Sequence, residues 1–204
     1  MSHTLPIIAV VLCGGKSTRM GTDKGLLPIQ SHATWAQFVG EKAALANVEV
    51  VYSISQSQIS TYSKHIAQQM LITDDDNLLV QGPLKGLLSV HQAYPAHHLL
   101  LLSCDMLHID TAVLQQLVQH CVENPTAHFW AFTNGSFAQP FCAIYSAFGL
   151  QQQLQQQSSI TNFSLQRLLK QGTTAFIATT NEQVFFSYNT LDSNTLLQTQ
   201  PTTR

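Results

Sequence analysis

The chain reads as an α/β protein built on a mostly parallel sheet. Short apolar runs recur along its 204 residues, stretches with helical apolar spacing separate them, and a glycine-rich loop directly follows the first run. Alternation of this kind is the pattern of successive βαβ units.

The first strand is expected over residues 6–12, apolar throughout, as a buried strand should be. A helix follows in which Trp35, Phe38, Val39 and Leu45 share one face. Strands are expected next over 48–54 and 70–73. Leu84, Leu87, Leu88 and His91 then form a second stripe, and Pro83 after Gly82 marks that helix's start. A strand over 98–103 leads into a third stripe of Val113, Leu114, Leu117, Val118 and Cys121. A strand over 128–133 ends at Asn134-Gly135, a turn signal for a hairpin into a strand over 141–145. The glutamine-rich run 151–157 reads as a solvated helix face or loop. The last strand is expected over 184–187. Without a repeat or linker, the economical organisation is a single domain over 1–204.

Composition narrows the function. Only 10% of residues are charged and the net charge is −2, so no basic face points to nucleic acid. The four cysteines (Cys13, Cys104, Cys121 and Cys142) form no Cys-x-x-Cys pair, and no signal peptide is read ahead of them. Reduced thiols in a cytoplasmic protein follow. No apolar run approaches membrane-spanning length, which argues against a membrane partner. No cysteine or histidine spacing suits structural zinc.

The chemistry concentrates in Leu12-Cys13-Gly14-Gly15-Lys16-Ser17-Thr18-Arg19-Met20-Gly21-Thr22-Asp23-Lys24. A glycine-rich backbone can approach a ligand closely and aim several N–H groups at one anion, while flanking cations hold a polyphosphate. A P-loop is excluded, because its first glycine would fall at Val10. The dinucleotide fingerprint is excluded too, because Gly14 and Gly15 are adjacent and Gly21 lies too far on. Ligands of open α/β sheets bind beyond the carboxyl ends of the strands. The glycine loop, Asp74 and Asp105 each follow a predicted strand, so they meet in one crevice if those strands are neighbours. No nucleophile elbow or His-Glu-x-x-His motif competes. Of the histidines, His108 alone is near the Asp105 site in sequence.

The loop resembles the nucleotidyltransferase signature Gly-Gly-x-Ser-x-Arg-Met-Gly-x-Asp-Lys, and is most similar to that of the molybdenum cofactor guanylyltransferases. Gly14, Gly15, Ser17, Arg19, Met20, Gly21, Asp23 and Lys24 meet every specified position. Gly82-Pro83-Leu84-Lys85-Gly86 and Cys104-Asp105-Met106 resemble two further family blocks, in order. The resemblance implies a three-layer α/β/α sandwich of the nucleotide-diphospho-sugar transferase type, with a Rossmann-like sheet. It implies transfer of GMP from GTP to molybdopterin with release of pyrophosphate. Cytidylyl transfer to molybdopterin or to a sugar or alcohol phosphate is the alternative, as is a nucleotide-binding module without catalysis. Asp23, where many cytidylyltransferases carry proline, favours the guanylyl branch.

The same resemblance implies the site. Arg19 and Lys24 would offset phosphate charge. Leu12, Cys13, Gly14, Gly15, Lys24, Asp74, Gly82, Gly86 and Asp105 would bind nucleotide, and Asp105 would hold Mg²⁺. Strand alignment selects Asp74 for the nucleotide, whereas counting back from Gly82 selects Asp75. Asn189 would meet the acceptor, within Ser187-Tyr188-Asn189-Thr190. Leu107, Gln139 and Ser187 depart from the family pattern. Molybdenum-cofactor insertion proteins or molybdoenzyme chaperones are the implied protein partners.

Overall fold

The computed structural model describes residues 6–14, 23–29 and 34–188. One seven-stranded sheet runs through them: β1 (Ile7–Leu12), β2 (Glu49–Ile54), β3 (Leu71–Thr73), β4 (His98–Ser103), β5 (Phe129–Thr133), β6 (Ala138–Tyr145) and β7 (Thr174–Ala178). Its spatial order is β3-β2-β1-β4-β6-β5-β7. Strand β6 runs antiparallel to both neighbours, and every other pairing is parallel.

Residue alternation in the central strands divides two cores. Ala9, Val11, Leu100 and Leu102 face helices α1 (Trp35–Leu45) and α4 (Thr111–Glu123), with the short α2 (Ile59–Tyr62) on the same side. Ile8, Val10, Leu99 and Leu101 face α3 (Pro83–Ala93), α5 (Ala147–Gln155) and α6 (Leu165–Gln171). Period-2 alternation in strands buried on both faces thus produces the three-layer α/β/α sandwich.

The helical stripes account for the outer layers. Leu84, Leu87, Leu88 and His91 are all buried, as are Leu114, Leu117 and Cys121. Leu45 departs from its stripe at 63% exposure, because it occupies the last turn of α1. Helix α1 starts at a capping box between Thr34 and Gln37. The glutamine run divides its work: Gln151 hydrogen-bonds His91 at 3.2 Å, and Gln157 accepts the Leu79 N–H at 2.9 Å. These amides join α5 and the turn after it to α3 and the loop before it.

The final strand is misplaced by the sequence reading. Residues 184–187 are not a strand; Gln183–Phe185 forms a 3₁₀ turn, and β7 lies earlier, pairing with β5 from Phe129↔Thr174 to Thr133↔Ala178. Both segments are short and apolar, and the parallel pairing that decides between them is non-local. Strand β6 also starts earlier than expected, at Ala138. Pro140 lies where the β5–β6 register shifts between Ala131 and Thr133, which is how the strand accommodates a residue without an N–H. The expected hairpin is present, with residues 134–137 as its loop and Gly135 at φ 94°.

Candidate functional site

The chain leaves β1 in one direction to build β2 and β3, and returns to β1's other side as β4. The carboxyl ends of β1 and β4 therefore flank a topological switch point, where open α/β sheets open a ligand crevice. Cys13 and Gly14 emerge from one side of it and Asp105 from the other.

The start of the glycine loop is pinned to the sheet. The N–H groups of Cys13 and Gly14 both donate to the Ser53 carbonyl, at 2.8 and 3.1 Å. Its far end is pinned by Asp23, whose carboxylate accepts from the Gly25 N–H at 3.0 Å and the Tyr62 hydroxyl at 2.8 Å. Gln58 ties the two ends together: its amide donates to the Cys13 carbonyl and to Asp23. Gly15 and Arg19 fall outside the described residues, as does Asn189.

Lys24 opens the 3₁₀ turn Lys24–Leu26 and reaches across the crevice. Its ammonium donates to Asp105 Oδ2 at 3.0 Å and to the Tyr188 carbonyl at 2.9 Å. The Ser103 hydroxyl donates to Asp105 Oδ1 at 2.6 Å. Both side chains are largely enclosed, at 17% exposure for Lys24 and 9% for Asp105. A carboxylate offers about four acceptor positions, so these two bonds leave acceptor capacity. Among the described residues no three His, Cys, Asp or Glu side chains gather to form a protein cage. One buried carboxylate at a strand end fits Mg²⁺, which takes one or two carboxylates and fills its shell with phosphate oxygens and water. Asp105 is the residue that would hold it.

Asp74 follows β3, two strands from β1, yet reaches the glycine loop. A Cβ placed on Gly14 would lie 3.7 Å from Asp74 Oδ2, and one on Gly86 would lie 3.4 Å from Oδ1. That Cβ on Gly86 would also collide with Ser53 Oγ at 2.6 Å and Leu12 Cδ1 at 2.7 Å. Glycine at 86 thus lets α3 close against the ends of β1 and β2. Gly82, at φ 63°, turns the chain into that helix in a conformation costly for other residues. Among the described residues, Asp74 Oδ1 and Ser53 Oγ are both buried without a hydrogen-bond partner. Burial pushes the Asp74 carboxyl above its ordinary range; Lys85 opposes this and Asp76 adds to it. Both atoms lie beside Gly86, and buried polar atoms in this state have hydrogen-bonding capacity to spare. Asp75 instead accepts the Asn77 N–H at 2.9 Å, and Asp76 pairs with Lys85 at 3.0 Å. Of the three carboxylates, Asp74 is the one that lies beside Gly14 and Gly86.

Sequence reasoning missed Gln58, Tyr62 and Tyr188. Gln58 and Tyr62 stand in no motif and reach the site across tens of residues, and Tyr188 occupies an unspecified position of the Ser187-Tyr188-Asn189-Thr190 stretch, contributing through its backbone carbonyl. The hydrogen bond of Cys104 with Cys13 and its burial push the thiol well up, which works against the thiolate form a nucleophile needs.

The MobA-like NTP transferase domain matches residues 9–182, which is most of the chain. The chain belongs to this family. Among its relatives, a molybdenum cofactor guanylyltransferase of Ectopseudomonas mendocina is 32% identical over 148 residues, covering 71% of this chain and 68% of that protein. A molybdenum cofactor biosynthesis bifunctional protein of Synechocystis is 28% identical over 146 residues, covering 72% of this chain and 41% of that protein. The match thus spans less than half of one relative and about two thirds of the other. The fold is shared with the crystal structure of molybdopterin-guanine dinucleotide biosynthesis protein A from Archaeoglobus fulgidus. That match has a TM-score of 0.71 and 18% identity, covering 94% of this chain and 96% of that one. Among the described residues, no helix is long and apolar enough to cross a membrane.

Proposed function

We propose that the protein transfers GMP from GTP to the terminal phosphate of molybdopterin and releases pyrophosphate. The observation that carries this reading is the Lys24–Asp105 pair at the switch point. It sets a phosphate-seeking cation beside a metal-seeking carboxylate, at the mouth of a glycine loop. Membership of the MobA-like family supports it.

Each residue then has a task. The acceptor phosphate is ionised at neutral pH, so no strong general base is needed. Lys24 offsets charge on the leaving pyrophosphate as a point charge. Asp105 would hold Mg²⁺, which when bound neutralises phosphate oxygens and favours in-line attack. Asp74 offers an acceptor beside Gly86. Guanine presents N1–H and N2–H₂ side by side, a pair of donors that suits a carboxylate, whereas cytosine presents a single amino group. A site built around such hydrogen bonds rejects the wrong base because its own polar groups stay unpaired.

The test is incubation with each of the four nucleoside triphosphates, Mg²⁺ and molybdopterin, reading pyrophosphate release. Competition between equal GTP and CTP follows, with products weighed by mass spectrometry. A guanine dinucleotide as main product supports the assignment. A cytosine dinucleotide overturns the guanylyl choice, and no pyrophosphate with any nucleotide overturns transferase activity.

A further inference from the structure

The Lys24 side chain is held by a backbone carbonyl as well as by Asp105, and that carbonyl belongs to Tyr188. Position 188 follows the 3₁₀ turn Gln183–Phe185, in a segment without strand pairing of its own. The Tyr188 side chain and one backbone bond place that carbonyl. Tyr188 is 1% exposed, packs edge-on against Trp35 with ring centres 6.1 Å apart, and meets Phe186 at 5.4 Å. Its N–H donates to the Asp105 carbonyl at 3.2 Å. Its phenol hydrogen-bonds His108 Nε2, and the two rings lie 5.3 Å apart. Among the described residues, His108 is the phenol's one hydrogen-bond partner.

His108 is itself held firmly. It lies in the loop between β4 and α4, where Met106, Leu107 and Ile109 are buried and two successive turns close through Met106 N–H to Ser103 and Ile109 N–H to Met106. The loop that carries Asp105 therefore also carries the group that docks Tyr188.

We propose that His108 is a positioning residue for Lys24, acting through Tyr188. The inference rests on the nucleotidyl-transfer reading. A lysine ammonium rides on a flexible four-carbon stem, and an incoming triphosphate competes with Asp105 for it. The Tyr188 carbonyl is a backbone contact that the triphosphate does not displace, and it helps hold the ammonium over the leaving group. Loosening Tyr188 leaves the positive charge in the crevice but weakens the aim of the ammonium. The effect therefore falls on kcat more than on the KM for GTP.

Three variants test this. His108→Leu keeps the bulk and loses the polar tip. His108→Gln keeps an amide near the place of Nε2. Tyr188→Phe removes only the hydroxyl. With GTP, Mg²⁺ and molybdopterin, His108→Leu and Tyr188→Phe are expected to lower kcat about fivefold, the scale of one hydrogen bond, with less than a twofold change in KM. His108→Gln is expected to recover most of the loss, and the Leu/Phe double variant to be no worse than either single one, because both break the same bond. Wild-type kcat in His108→Leu overturns the proposal. Equal impairment in Leu and Gln overturns it too, since that marks a packing role. The ¹⁵N signals of the His108 ring give a readout that needs no turnover. They should move in Tyr188→Phe; unmoved signals overturn the contact, whereas a wild-type protein that makes no pyrophosphate overturns the transferase reading instead.

Discussion

Lys24 and Asp105 are 81 residues apart in the chain and 3.0 Å apart in the fold, joined across the ends of β1 and β4. Each is what the other's ligand would otherwise be: Lys24 stands where a metal's charge would sit, and Asp105 where a phosphate's would. A pair this enclosed stays assembled without ligand because neither charge is left uncompensated. On the proposed reading, triphosphate and metal together would replace both halves at once, so a metal–nucleotide complex should bind better than either part alone.

Asp105→Asn is expected to abolish pyrophosphate release while leaving the protein folded. The amide keeps the size of the side chain and can still accept from Ser103, but it loses the charge that would hold Mg²⁺. Steady-state kinetics across a Mg²⁺ titration, beside a thermal unfolding scan, checks this. Activity near wild type at any Mg²⁺ concentration contradicts the role.

Lys24→Ala should weaken triphosphate binding and slow transfer together. Hydrogen bonds to charged groups are worth about 1.5–3 kcal/mol, which corresponds to one to two decades in kcat/KM. The variant also strands the Asp105 carboxylate, so a drop in melting temperature is expected beside the kinetic loss. Isothermal titration with GTP separates the binding part from the chemical part.

Much of this arrangement is legible in the sequence, and the rest is hidden for identifiable reasons. The strands on either side of the switch point are long apolar runs, so Asp105 and the glycine loop announce themselves as strand-end residues. The shared position of Asp74 is less legible. It requires β3 to lie two strands from β1 and the loop beyond it to fold back, and a three-residue strand carries little periodicity. Gln58 and Tyr62 stand in a polar stretch that fits any surface turn. Their contacts with Asp23, and that of Gln58 with Cys13, give them meaning. Strand β7 was missed for a related reason: an edge strand that pairs with β5 alone looks no different from the apolar segment at 184–187.

Gln58→Leu should untie the ends of the glycine loop without disturbing the core. It removes the donations to Cys13 and Asp23 and frees Ser55, whose N–H the Gln58 side chain accepts at 2.7 Å. Asp23 keeps Tyr62 and Gly25. The expected result is a rise of about fivefold to tenfold in the KM for GTP, the scale of a lost hydrogen bond or slightly more, with kcat less affected. Kinetics at saturating molybdopterin would show it.

Gly86→Ala should damage the base side of the crevice. The new methyl meets Ser53 Oγ at 2.6 Å and Leu12 Cδ1 at 2.7 Å, too close for either to remain in place. Overpacking of this kind costs about 1–3 kcal/mol. Relief comes from Ser53 Oγ and Leu12 Cδ1 turning aside or from α3 moving outward, and either disturbs the wall that Gly86 shares with Asp74. Nucleotide affinity should fall more than thermal stability suggests, and GTP should lose more than CTP if the guanine edge is read here. Binding titrations with both nucleotides check the order.

Asp74→Asn should make the protein more stable and less able to bind nucleotide. Burial raises the folded-state pKa of this carboxyl above its unfolded value, so the folded chain binds the proton more tightly. Ionised Asp74 therefore costs stability at pH values above its folded pKa, and that cost disappears as pH falls through the folded pKa to below the unfolded carboxylate value. Asparagine carries no such cost at any pH. The gain in melting temperature over wild type should be present at pH 7 to 8 and shrink toward pH 4. Affinity for GTP should move the other way at neutral pH, because the amide presents one acceptor where the carboxylate presents two. Unfolding scans across that range, paired with GTP titrations at pH 7.5, measure both. An equal gain at both ends of the range would mean that the charge of Asp74 is not what the fold resists.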